Sequence, residues 1–86
     1  MRAVFTPDSW REYCDWLDVD KAVLKKINAL ISDACRDPFI GIGKPEPLRH
    51  ALSGFWSRRI TKEHRLVYQV VEDDVIIIQI GGHYSG

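Results

Sequence analysis

The chain has 86 residues, with twelve Lys/Arg balancing twelve Asp/Glu; 45% of its residues are apolar and 28% charged. These are ordinary globular proportions and exclude a disordered or low-complexity chain. The length sets one domain over residues 1–86, which buries roughly 60–65% of its unfolded surface. No window reaches the ~20 apolar residues of a membrane span, and no basic region with an apolar core opens the chain, so a cytoplasmic protein without membrane contact is expected.

Met1 to Phe5 is short and apolar and predicts a first strand. Thr6-Pro7-Asp8-Ser9 predicts a helix start, with Thr6 as N-cap, Pro7 at the first helical position and Asp8 at the positive helix end. Trp10, Tyr13, Cys14 and Leu17 then recur at i, i+3, i+4 and i+7, one helical face. Asp20 follows as the cap of a second helix, whose apolar face is Val23, Leu24, Ile27, Leu30, Ile31 and Ala34 and which Pro38 ends. Two helices with so short a break form an antiparallel hairpin. Cys14 and Cys35 lie on these helices among apolar residues and read as reduced core thiols. Neither has a His at ligand spacing, so no metal site and no cofactor is assigned.

From Phe39 to Ser53 the glycines and prolines predict an ordered loop with a fixed path, prolines locking φ on both sides of Glu46. Phe55–Thr61, Arg65–Val71 and Val75–Ile80 read as three strands with turns at Lys62-Glu63-His64 and Glu72-Asp73-Asp74. The last is almost wholly apolar and reads as central and buried on both faces. The fold class is α+β, in the order β-α-α-β-β-β: an antiparallel sheet with a helical hairpin on one face. A three-residue loop at 62–64 pairs Thr61 with Arg65 and Arg59 with Val67, and sends Arg59 and Arg65 to the same face.

Function is signalled by where the charge sits. Lys44, Arg49, Arg58, Arg59, Lys62 and Arg65 fall together against only Glu46 and Glu63, and no cation follows Arg65. A neutral chain that gathers its cations in this way points to a bound anion, phosphate being the commonest. Glu46 lies inside the run and His83-Tyr84 near the chain end, so cations, a base and an acid are all present for metal-free RNA cleavage. Taken from the residues alone, each has a plainer alternative. Glu46 is a base or a loop carboxylate paired with Lys44 or Arg49. The arginines grip phosphate or make surface ion pairs, and His83 is an acid or a tail residue. His64, in a turn, suits a structural or RNA-contact role, and Trp10, Trp16 and Trp56 suit the core.

The chain resembles the YoeB-type toxins of the RelE/ParE toxin–antitoxin superfamily along nearly its whole length. The resemblance is carried by Ser9-Trp10, by Lys25-Lys26-Ile27-Asn28 and by Gly43-Lys44-Pro45-Glu46-Pro47-Leu48. It continues through Leu52 to Thr61, Glu63 to Tyr68, and His83-Tyr84. It implies a ribosome-dependent mRNA endonuclease with a RelE-like fold, a cognate antitoxin of the YefM/Phd type and a homodimer. It also implies Glu46 as general base, Arg65 as transition-state stabiliser and His83 as general acid. Lys44, Arg49, Arg58, Arg59, Lys62 and Tyr84 then contact RNA, Arg59 also supporting Arg65. Gly81-Gly82 departs from the bulkier pair common in the family, and Ser85-Gly86 extends past the Tyr at which many members end. Two further readings are a ParE-like inhibitor of gyrase, without catalysis, and an inactive RNA-binding module.

Overall fold

A computed structural model of the chain describes residues 1–82. The elements are β1 (Arg2–Phe5), α1 (Pro7–Val19), α2 (Lys21–Arg36), β2 (Glu46–Pro47), a one-turn 3-10 helix (His50–Leu52), β3 (Phe55–Arg59), β4 (Arg65–Val71) and β5 (Asp74–Ile80). The sheet has five strands in the order β1-β5-β4-β3-β2. No helix among the described residues is long and apolar enough to cross a membrane.

Capping chemistry places both helices. Thr6 Oγ1 accepts from the Ser9 amide at 3.0 Å, and the Thr6 amide donates back to Ser9 Oγ at 2.9 Å, a reciprocal capping box. Ser9 Oγ also donates to the Ile77 carbonyl at 2.8 Å, which ties the start of α1 to β5. Asp20 closes α1 through its amide to the Trp16 carbonyl and opens α2 by accepting from Ala22 and Val23. One residue therefore serves as the whole connection, and the predicted hairpin forms around it.

The core is built from Ile27, Leu30 and Ala34 of α2, Leu66 and Tyr68 of β4, and Val75, Ile77 and Ile80 of β5, with Ile60 beside them. Trp16 and Trp56 pack against it half-buried. The inner face of α1 is Ser9, Tyr13 and Trp16, one residue round from the expected stripe. Trp10 and Leu17 are about half exposed and Cys14 is exposed, so Cys14 is not a core thiol; Cys35 is half-buried. Several apolar positions of α1 fit more than one helical stripe, and the Ser9 bond to β5 selects the one that turns inward.

The α+β class stands, and the sheet departs from expectation in three respects. First, it is mixed: β1 runs parallel to β5, with Ala3 beside Val75 and Phe5 beside Ile77. The helical hairpin carries the chain far enough to make this parallel return. Second, Glu46 and Pro47 add an edge strand inside the expected loop. Third, β3 ends at Arg59 and pairs it with Arg65, Arg58 with Leu66 and Ser57 with Val67. The connection is two residues longer than expected because Ile60 turns into the core and Thr61 folds into a side-chain turn. Arg59 and Arg65 still share a face, since directly opposite residues project the same way. β5 is interior, with β4 central; Val75, Ile77 and Ile80 are buried and Ile76, Ile78 and Gln79 half-buried.

Candidate active site

The site grows from the two-residue period of β3. Trp56 and Arg58 face the helices, as do their partners Tyr68 and Leu66. Phe55, Ser57 and Arg59 face the other way. Glu46 pairs with Ser57, so it lies on that second face, one strand from β3. Arg59 is two residues further along β3, with Arg65 opposite it on β4. The register therefore gathers one carboxylate and two guanidinium groups on the sheet face turned away from the helices.

Glu46 is exposed and has no hydrogen bond or ion pair with its side chain among the described residues. With Pro47, Leu48 and Arg49 it lines an open hollow of ≈ 390 Å³. Its backbone is fixed on both sides. The Arg59 amide donates to the Gly43 carbonyl at 2.7 Å, and the Leu48 amide to the Phe55 carbonyl at 2.9 Å. Lys44 takes φ 52°, a left-handed turn between these anchors.

Arg65 is half-buried and anchored along one edge. Its Nη1 donates to the carbonyls of Thr61 at 2.9 Å, His64 at 3.1 Å and Lys62 at 3.3 Å. Thr61 makes that turn: its Oγ1 accepts from the amides of Glu63 and His64 and contacts His64 Nδ1 at 3.0 Å. His64 is half-buried and stands edge-on to Trp16, ring centres 5.0 Å apart. The other edge of the Arg65 guanidinium has no partner among the described residues, and Arg59 is exposed with its side chain free of such partners.

The remaining cations divide. Arg49 shares the hollow with Glu46. Lys44 and Lys62 are exposed, and Lys62 borders a separate hollow with Trp16, Asp20 and Val23. Arg58 is corrected: its side chain is fully buried, so it is not an RNA contact on this surface. It pairs with Asp33 of α2 and bonds Tyr68 Oη and three loop carbonyls. His83 and Tyr84 lie outside the described residues.

Asp33 and Tyr68, which the sequence pattern does not single out, both bond Arg58, and they bond the loop at the Ile42 amide and the Pro38 carbonyl. The available signal was a carboxylate on the apolar side of α2, one turn from Leu30, facing a strand that carries an arginine. The hydrogen bond from Arg58, then that from the Ile42 amide, hold the Asp33 carboxyl below the usual range. Burial opposes the Arg58 charge, but the bonds to Tyr68 and Asp33 outweigh it and raise its affinity for the proton. Burial pushes the Tyr68 hydroxyl up.

The chain is similar in fold and sequence to solved YoeB-type toxins. One, a YoeB/ParE toxin from Agrobacterium tumefaciens, is 46% identical with a TM-score of 0.93, over 98% of this chain and all of that one. A Staphylococcus aureus relative, 40% identical and covering 98% of both chains, is solved as a YoeB–YefM heterotetramer at TM-score 0.88 and as a YoeB dimer at 0.89. Toxin YoeB of Escherichia coli is 55% identical over 98% of this chain and all of its own length. The family model for the YoeB-like toxin of the bacterial type II toxin–antitoxin system matches residues 5–84. The chain belongs to that toxin family.

Proposed function

We propose that this toxin is a ribosome-dependent mRNA endoribonuclease that cleaves without a metal. Glu46 removes the proton from a ribose 2′-hydroxyl, and the 2′-oxygen bonds to the adjacent phosphorus. The bond from phosphorus to the 5′-oxygen breaks, and His83 gives that oxygen its proton. Arg65, with Arg59, meets the negative charge that grows on the phosphoryl oxygens, where a planar fork is most effective. Lys44, Arg49 and Lys62 contact phosphates, and Tyr84 stacks on a base or positions the phosphate.

The observation that carries the reading is the common face of Glu46, Arg59 and Arg65, set by the pairs Glu46–Ser57 and Arg59–Arg65. A pure binder needs cations but has no use for a lone carboxylate in their midst. The S. aureus assemblies extend by family membership to a cognate YefM/Phd-type antitoxin and a homodimer here, acting in the cytoplasm where ribosomes translate. Primer extension on an mRNA incubated with and without translating ribosomes tests this. New ends inside the occupied codon, dependent on ribosomes, are expected. Trapped gyrase–DNA breaks with no mRNA cleavage would replace the reading with the non-enzymatic one.

A further inference from the structure

Arg58 belongs to the cationic run but not to the face that carries it. All five of its N–H donors are engaged. Nε donates to Tyr68 Oη at 3.0 Å, Nη1 to Asp33 and to the Ile42 carbonyl at 3.0 Å, and Nη2 to the carbonyls of Asp37 at 2.7 Å and Ile40 at 3.1 Å. Tyr68 Oη donates in turn to the Pro38 carbonyl at 2.6 Å, and Asp33 Oδ2 accepts the Ile42 amide at 3.0 Å. One buried cluster therefore holds the backbone at residues 37, 38, 40 and 42.

Within the held segment Pro38 is buried and Phe39 packs on Trp56, ring centres 4.8 Å apart, but the other apolar side chains are open to solvent. Phe39, Ile40 and Ile42 are 47%, 70% and 50% exposed. A desolvated guanidinium is costly, and hydrophobic burial in this loop does not explain its presence. What the loop does is lead to Gly43, whose carbonyl takes the Arg59 amide, and then within three residues to Glu46. Gly41 and Gly43 fit this close path. A Cβ on Gly41 would stand 1.9 Å from Asp33 Oδ2, and one on Gly43 2.5 Å from Leu30 Cδ2.

We propose that the Arg58–Asp33–Tyr68 cluster is a positioning device for Glu46, fixing the approach of its strand so that the carboxylate meets Arg59 and Arg65 across β3. The inference rests on Glu46 being the base. Strand alternation lets adjacent residues divide the work: Arg58 sets the loop from inside and Arg59 faces substrate from outside. A lysine has too few donors, in the wrong geometry, to replace Arg58. Displacement of a reacting group by ~1 Å can cost ~10²-fold in rate, so a partly loosened loop is expected to cost less.

The test uses Tyr68→Phe, which keeps the ring in the core and removes the hydroxyl, and Gly41→Ala, whose methyl would press on the Asp33 carboxylate and strain the loop. Amide hydrogen exchange across residues 43–48, affinity for ribosomes, and the cleavage rate at saturating toxin are measured well below the unfolding temperature. Glu46→Ala is run in parallel. Expected for both variants are faster exchange at 43–48, a cleavage rate about 3–30-fold lower and ribosome affinity within about twofold. Unchanged exchange, or faster exchange with an unchanged rate, overturns the inference in whichever variant folds. Wild-type cleavage by Glu46→Ala removes the base assignment instead, while the exchange data still report whether the cluster holds the loop.

Discussion

Arg58 and Arg59 are neighbours of one type with opposite fates. The backbone makes the difference: one side chain points into the domain and the other out of it. Loss of Glu46 or of His83 as an acid–base group is expected to lower cleavage by about 10²–10⁴-fold, while circular dichroism and thermal unfolding stay near wild type. Arg65→Ala is expected to fall in a similar range, since removing one oxyanion-type donor costs about 10²–10³. Arg59→Ala should cost less, as the supporting cation. Arg65→Ala protein that cleaves at the wild-type rate in single-turnover assays would remove the stabiliser from the account. At this scale the sequence was partly legible. Clustered cations around a lone Glu46 marked the candidate site, and the same-face placement of Arg59 and Arg65 survived a change in register. The burial of Arg58 was not legible, because alternation gives two faces and does not say which one meets the helices.

Among the elements, the connections show how little chain the fold spends. Asp20 ends one helix and begins the next, so Asp20→Ala removes a cap that two helices share. It is expected to cost about 1–2 kcal/mol in urea unfolding, and Asp20→Asn or Asp20→Ser to cost much less. A loss within error for Asp20→Ala would show that packing, not capping, defines this corner. Gly43 is the other tight point, at φ 80° with Leu30 and the Arg59 carbonyl against it. Gly43→Ala is expected to destabilise by about 1–3 kcal/mol. Helix starts were legible because Thr6, Pro7 and Asp20 act locally. The parallel pairing of β1 with β5 was not, since a strand pattern names no partner. Nor was β2: two residues carry no period, and Glu46-Pro47 becomes a strand only because Ser57 and Trp56 are there to pair with.

The molecule as a whole is neutral, and the Asp33–Arg58 pair, together with the surface Arg2–Asp74 pair, links its stability to pH. Asp33 holds its proton less tightly folded than unfolded, because Arg58 and the Ile42 amide favour the carboxylate. As pH falls through the ordinary carboxylate range near 4, the unfolded chain takes up this proton first. The stabilisation is therefore complete above that range and is lost as pH drops toward the lowered folded value. Urea midpoints are expected to fall between pH 5 and pH 3. Asp33→Asn should be less stable at pH 7 and flatter across that window. An equal slope in the variant would assign the acid sensitivity to other groups. The Asp33–Arg58 pair would join stability to the proposed activity, since the loop it bonds leads to Glu46, the proposed base.

That carboxylate is the point on which the whole account is most exposed. Ribosome-dependent cleavage of a translated mRNA, followed by primer extension for wild type and for folded Glu46→Ala side by side, tests it directly. New ends within the occupied codon are expected for wild type, with a loss of at least about 10²-fold in their rate of appearance for the variant. Equal cleavage by the two proteins would contradict it and move the chemistry away from the Glu46, Arg59 and Arg65 face.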